Sequence, residues 1–399
     1  MPAAPSTQAP PVSFDDTRVA FASKSDGQLR KMYALFAAMN NGRLVKTGSS
    51  LMKTALKWQL PGTKFFIKHS IFEQFCGGET IAECRPVTAE LGRYHIGTIL
   101  DYSVEGSGSD QSYDRTRDEV LATIDEAHRS PHIPFSVFKV TGVADVAILE
   151  KIQAGLPLSS TEQQAHNRSL GRVEAICARA HQYDVRLFID AEESWFQHTI
   201  DELTYTMMAR YNRETAIVWN TYQLYRHDRL EALQVAHEAA KKAGYYIGAK
   251  LVRGAYMEKE ARVAKQRGYA NPINSSKQAT DDLYNEALRY CVAHLERISI
   301  CAGTHNEASS LLLTQLMQEF NLVPQDPRVW FAQLYGMSDN LTYNLANAGY
   351  NTAKYLPYGP VEAVMPYLLR RADENTAIAG QSSREFLLID KELKRRKGH

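Results

Sequence analysis

The stretch HIGTILDYSVEGSGSDQS, residues 95–112, decides between two folds. Its opening, HIGTILDYS (95–103), is an apolar, β-branched run of strand length. A doubly wound sheet that binds a dinucleotide wants Gly-x-Gly-x-x-Gly directly after such a strand, because bare backbone must approach a pyrophosphate. EGSGSDQS (105–112) stops at two glycines and reads as a flexible loop. Seven similar runs follow at intervals, each closing on a polar or glycine-rich signal: FSVFKVTG (135–142), VRLFIDAE (185–192), TAIVWNTYQ (215–223), YIGAKLVRG (246–254), ISICAGTHN (298–306), RVWFAQLYG (328–336) and NTAKYLPYG (351–359). Between them lie segments such as RLEALQVAHEAAKKAG, with apolar residues at helical spacing and a lysine-then-glycine stop. Strand and helix alternating eight times predict an α/β fold, a (β/α)8 TIM-type barrel.

Ahead of the first strand, pieces such as QLRKMYALFAAMN and SLMKTALKWQL, broken at Gly42 and Pro61-Gly62, predict a helical N-terminal arm. The expected organisation is a disordered tail over 1–20, the arm over 21–92, the barrel over 93–390 and a basic C-terminal tail over 391–399. The 399 residues carry 46 basic and 45 acidic side chains, so no global field draws the chain to nucleic acid. Five scattered cysteines without a C-x-x-C pair argue against a disulfide framework or a zinc cage and suit a reducing compartment. No metal site is expected, since His305 has no companion histidine at ligand spacing. The absence of an apolar run of spanning length predicts no transmembrane helix.

In a barrel, chemistry gathers where the strands end. Those ends carry Asp101, Lys139, Asp190 with Glu192, Asn220 with Tyr222, Lys250 with Arg253, Thr304 with His305, Gln333 with Tyr335, and Tyr355. Any one of them is an ordinary solvated strand end; their accumulation points to a site. Lys139 closes an otherwise apolar strand and needs a partner there, either Asp190 or Glu192 of the next strand or a bound ligand. Lys250 poses the same question two strands on. Gly254 and Ala255 leave room for a flat ring or a phosphate to approach the backbone. Near the C-terminus, Val361–Asn375 reads as a helix with Tyr367, Arg370, Arg371 and Glu374 on one face and Met365, Leu368, Leu369 and Ala372 on the other.

Seven ordered blocks, FKVTG, IDAEES, NTYQLYRHDRL, KLVRGAYMEKE, THN, QLYGM and YLPYGP…YLLRRADEN, resemble proline dehydrogenase over residues 65–390 or so. The resemblance implies a distorted barrel holding FAD, with the last helix over its mouth, and oxidation of L-proline to Δ1-pyrroline-5-carboxylate by hydride transfer. It implies that Arg370 and Arg371 clamp the proline carboxylate, as a planar guanidinium fork suits. Lys139, Asp190 and Lys250 form the implied catalytic set, with Asp190 holding Lys139. Leu334, Tyr355 and Tyr367 wall the pyrrolidine ring, and Glu374 pairs with one of the arginines. Asn220, Lys250, Arg253, Gly254, Ala255, Thr304 and His305 occupy the positions of flavin contacts. Many bacterial members carry arginine at the position of Lys250 and glutamine at that of Asn220, which places this chain nearer the eukaryotic-like branch. Members acting on hydroxyproline have a smaller residue where Tyr355 stands, so proline is favoured.

The implied partners are L-proline, a quinone as electron acceptor and a separate pyrroline-5-carboxylate dehydrogenase for the product. The expected location is the cytoplasm, in solution or peripherally at the inner face of the plasma membrane. Two basic stretches, KELKRRKGH (391–399) and MKTALKWQLPGTKFFIKH (52–69), could serve a lipid surface. The simpler account is a solvated helix end and an ordinary arm. Rival readings are a Schiff-base aldolase using Lys139 or Lys250, a hydroxyproline dehydrogenase and a non-catalytic amino-acid binder.

Overall fold

In a computed structural model the described residues are 12–40, 42–58, 60–104, 108–377 and 381–398, with side chains omitted at 42–44, 46, 49, 53, 56, 57, 373–377 and 381–383. Eight parallel strands close into one barrel in chain order: β1 (Ile96–Tyr102), β2 (Phe135–Lys139), β3 (Arg186–Asp190), β4 (Val218–Gln223), β5 (Ile247–Val252), β6 (Ile298–Gly303), β7 (Val329–Leu334) and β8 (Thr352–Tyr358). Every predicted run contains its strand. The chain divides into two compact units, one of residues 106–332 and 349–351, the other of residues 11–105, 333–348 and 352–399.

The first unit carries β2 to β6 and most of β7. Its strands are buried on both faces, so they read as apolar runs without alternation. One face is identified by contacts that cross from one strand to a distant one. The Phe135 ring lies 4.3 Å from Phe188, 5.3 Å from Trp219 and 5.1 Å from Trp330, centroid to centroid, and the Arg186 guanidinium sits 5.6 Å from the Trp330 ring. Side chains of β2, β3, β4 and β7 that meet in this way fill the barrel interior. Gly248 on β5 makes room for that layer, since a Cβ there would fall 2.3 Å from the Trp219 ring. Polar caps begin the surrounding helices: Ser109 for Asp110–Arg129, Asp145 for Val146–Gln153, a Ser159/Glu162 capping box for Ser160–Gln182 and Asn306 for Glu307–Glu319. Of the loop read as flexible, residues 105–107 lie outside the described ones, and Ser109 already caps a helix.

The second unit pairs β1 with β8 in register from Ile96↔Thr352 to Tyr102↔Tyr358. The arm is helical as expected: Asp26–Met39 opens on a Ser25/Gln28 capping box, and Gly42–Lys57, Thr63–Ile67 and Ile81–Arg93 follow. Phe36, Phe75, Val364, Leu368 and Ile389 belong to one apolar cluster that joins the arm to helices Val361–Ala377 and Gln381–Arg396. Two boundaries differ from expectation. The disordered tail does not extend to residue 20: Thr17–Ala20 is a helical turn capped by Asp16, with Phe14, Thr17 and Ala20 buried, because apolar side chains there find a core. Residues 1–11 lie outside the described ones. The basic tail is no separate segment either, since helix Gln381–Arg396 runs through it. Arg396 donates to the Phe21 carbonyl at 2.9 Å and to the Lys24 carbonyl, Asp26 and Glu392 at 2.8 Å, tying that helix to the arm.

Candidate active site

In the first unit, the interior side chains one layer beyond the aromatic rings are charged. The Lys250 ammonium donates to the Asp190 carboxylate and lies 5.1 Å from the Phe188 ring centroid. Lys250 is only 4% exposed, so the carboxylate and the ring face replace the water it has lost. Lys139, the last residue of β2, is exposed, in register with Asp190 and coupled electrostatically to Glu192. The strand ends there, so Lys139 reaches solvent as well as the Glu192 charge. Glu192 itself is buried and accepts from the Thr141 backbone N–H at 3.1 Å and from the Thr141 hydroxyl. Burial pushes its carboxyl up to about 7, against those hydrogen bonds and the Lys139 charge, which pull it down.

Beyond β5, Arg253 donates to Asp281 at 2.7 Å, to the Thr304 hydroxyl at 2.7 Å and to the Ser309 hydroxyl at 2.9 Å, with its guanidinium 4.3 Å from the Tyr284 ring. The planar fork is thus held flat between two strand ends. Gly254 follows at φ +126°, and a Cβ on it would strike the Tyr225 ring at 2.5 Å. Only glycine fits there. Ala255 is exposed beside it, and His305 is half-buried next to Thr304.

Asn220 does not join this group. Its Nδ2 donates 2.9 Å to Asp201 on helix Ser194–Tyr211, and its Oδ1 accepts from the Thr221 N–H at 2.9 Å. Asp201 also takes Gln197 at 2.8 Å and Arg229 at 2.7 Å, so Asn220 is one member of a satisfied network outside the barrel wall. The expectation of a flavin contact from Asn220 is therefore corrected: a residue next to inward Trp219 must face outward. Gln223, of Trp219's parity, is the interior polar residue of β4; it is 2% exposed and its Oε1 has no hydrogen-bond partner. Sequence reasoning missed it. The signal was there in the strand's period of two, counted from the residue that fills the core.

In the second unit, Tyr355 on β8, Tyr367 and Arg371 are buried, Arg370 and Leu334 are half-buried, and the Arg371 guanidinium lies 5.3 Å from the Tyr367 ring. The helix bearing them is covered on both faces, since Leu368, Leu369, Met365 and Ala372 are buried as well. The side chain of Glu374 lies outside the described residues. Lys354 is fully buried between Asp339, at 2.8 Å, and the Met337 carbonyl. Glu385 accepts from the Ser338 N–H, and burial followed by the Asp339 charge pushes its carboxyl up to about 7. A separate cavity of about 290 Å³ is lined by Lys24, Met32, His69, Tyr335, Asp339 and Tyr343 among others; of the strand-end groups it takes Tyr335, and none of the residues assigned to proline or flavin. Among the described residues no cluster could hold a metal ion.

The model of the family described as proline dehydrogenase matches residues 84–384. A mitochondrial proline dehydrogenase 1 of Dictyostelium discoideum is 32% identical, over 96% of this chain and 74% of its own. A hydroxyproline dehydrogenase of Xenopus laevis is 30% identical, over 96% of this chain and 90% of its own. Among solved structures, proline utilization A from Bdellovibrio bacteriovorus, inactivated by N-propargylglycine, superposes with a TM-score of 0.70 at 20% identity, over 90% of this chain and 38% of that one. That likeness shows the barrel fold.

Proposed function

Because this chain belongs to the proline dehydrogenase family and is an oxidoreductase, we propose that it oxidises L-proline to Δ1-pyrroline-5-carboxylate with FAD as its cofactor and a quinone as the final electron acceptor. The single observation that carries the cofactor reading is the set of interior groups in the first unit: the orphaned Gln223 Oε1, the buried Lys250 held by Asp190, and Arg253 fixed beside Gly254. A buried amide oxygen without a donor costs stability unless something bound supplies one, and an isoalloxazine edge carries such an N–H. Cations at Lys250 and Arg253 suit the electron-rich ring and the pyrophosphate of a flavin nucleotide. When bound, FAD would supply the two-electron acceptor for the C5 hydride of proline.

The protein's own part is positioning. Arg370 and Arg371 bind the carboxylate, Lys139 adds a third positive group, and Leu334, Tyr355 and Tyr367 enclose the ring. The Asp190 carboxylate accepts from the buried Lys250 ammonium and holds it in orientation. A separate dehydrogenase takes the product. Relatives named for proline and for hydroxyproline are almost equally similar overall, so substrate choice falls to local residues. Tyr355 is 8% exposed, which leaves little space for a 4-hydroxyl and supports proline. No helix among the described residues is long and apolar enough to cross a membrane.

The spectrum of the purified protein tests this reading. Bound flavin makes it yellow, and L-proline added without oxygen bleaches the colour. A colourless protein whose lysine is trapped by borohydride with a carbonyl substrate would establish the aldolase reading instead.

A further inference from the structure

We propose that Glu260 is a positioning residue for the flavin: it latches the loop after β5, which carries Arg253, Gly254 and Ala255, to the turn after β3, which carries Asp190 and Glu192. The inference rests on the flavin reading above. Glu260 lies on helix Met257–Arg267, which begins where that loop ends. Of the eleven residues of this helix only Glu260 and Ala264 are buried, and Glu260 is 0% exposed. A helix on the outside of a domain ordinarily docks through an apolar stripe. This one buries one small apolar side chain and a glutamate instead.

What Glu260 meets is the start of the helix that follows β3. Its carboxyl oxygens accept from the Ser194 backbone N–H at 2.7 Å and from the Ser194 hydroxyl at 2.5 Å. The first N–H groups of a helix have no partner within it, and Glu193, in the cap position of helix Ser194–Tyr211, makes no side-chain cap hydrogen bond. Glu260 supplies that acceptor from another segment of the chain, at the helix end where an acidic group is electrostatically favoured. The Glu193 side chain accepts from Lys259 instead. Two consecutive residues of one helix thus hold two consecutive residues at the start of the other. Arg267 adds an ion pair with Glu150 at 3.3 Å and lies 5.2 Å from the Trp195 ring, but it is 47% exposed, and exposed pairs hold weakly.

The contact closes a short span of chain. At its near end Arg253 is fixed by Asp281, Thr304 and Ser309, and its carbonyl accepts from the Tyr225 N–H at 2.7 Å. Gly254 and Ala255 are exposed between that anchor and Glu260. Held at both ends, the span keeps the bare backbone at Gly254 in place for a phosphate or ring; released at Glu260, a helix with almost no apolar face opens easily. The turn on the other side is held twice, since Gln197 accepts from the Glu192 N–H at 2.6 Å while Glu260 holds Ser194. Loosening Glu260 therefore frees the β5 loop more than the β3 turn.

The test uses the full-length holoenzyme, well below its melting temperature. FAD release on dilution is followed by flavin fluorescence, and hydrogen exchange is measured by mass spectrometry over residues 254–268 and over the barrel strands. Glu260→Ala is expected to release FAD at least about tenfold faster than wild type, and to speed exchange in 254–268 while the strands stay protected. Glu260→Gln, which keeps an acceptor for the Ser194 N–H, should fall between the two. Ser194→Pro removes both donors at a first helical position, where proline fits, and should reproduce the faster release with Glu260 intact. A role confined to stability would instead quicken exchange evenly across the strands, and that result overturns the inference. Variants that keep FAD as long as a yellow wild type overturn it too and leave the flavin reading standing. A colourless wild type that takes up no added FAD removes the flavin reading and this inference with it.

Discussion

Asn220 and Gln223, both on β4, face opposite sides of the barrel wall: the first donates to Asp201 outside it, at 2.9 Å, and the second turns an unsatisfied carbonyl oxygen to the interior. Two substitutions of similar chemistry therefore have different consequences. Asn220→Ala leaves Asp201 one donor short in a buried network and should lower stability by about 1–3 kcal/mol, without altering the flavin spectrum. Gln223→Ala should leave thermal stability nearly unchanged and raise the dissociation constant for FAD. Equal flavin affinity in Gln223→Ala and wild type would remove Gln223 from the cofactor site.

Arg370→Met and Arg371→Met should each lower kcat/KM for L-proline by tenfold or more, since a charge-assisted hydrogen bond to a carboxylate is worth about 1.5–3 kcal/mol. The loss should be smaller for a proline analogue lacking the carboxylate. Arg371 is the buried member of the pair and packs on Tyr367, so its variant should also melt at a lower temperature. Unchanged kcat/KM in either variant would end the carboxylate-clamp assignment.

Asp190→Ala removes a carboxylate partner from the Lys250 ammonium at a position 4% exposed to water. Destabilisation by about 3–5 kcal/mol is expected, the cost of breaking a buried pair by removing one partner. Combining it with Lys250→Met should recover part of that loss. A double-mutant cycle in denaturant reads the coupling directly, and strict additivity would mean the two groups do not depend on each other.

Glu385 gives a pH signature. Its carboxyl is held at about 7 in the folded protein, above the ordinary glutamate value of 4.5, because burial and the Asp339 charge disfavour its ionised form. The folded state thus binds the proton more tightly than the unfolded chain. The associated stability is present in full below pH 4.5 and is lost as pH rises through about 7. Glu385→Gln keeps an acceptor for the Ser338 N–H and removes that dependence, so it should raise the melting temperature at pH above 7 relative to wild type and narrow the gap at acid pH. Parallel melting curves for the two proteins across that range would contradict it.

Tyr355→Ser should admit 4-hydroxyproline. The ratio of kcat/KM for hydroxyproline to that for proline is expected to rise, chiefly through proline losing the ring that packs against it. A ratio that does not move would place the discriminating residue elsewhere.

The amino-acid sequence by itself determined the eight strands and the helix over 361–377, because parallel strands covered on both faces must be apolar throughout and helices must repeat near 3.6. It also determined that lysines, arginines and tyrosines collect at strand ends. What it could not settle was facing. In VWNTYQ every residue is buried, so no alternation marks which side chains look inward, and only the packing of Trp219 on Phe135 and Phe188 assigns the interior to Gln223 and the outer network to Asn220. The pairing of Lys250 with Asp190 bridges two strands that are not neighbours, with β4 between them, and exists because the sheet curves on itself. The fate of the basic residues was likewise a tertiary matter. Near the C-terminus Arg395 and Arg396 meet Glu392 and Asp26, and in the arm Lys64 and Lys68 meet Glu362, Glu79 and Glu83, since only the folded chain decides which carboxylates come within reach of which cations.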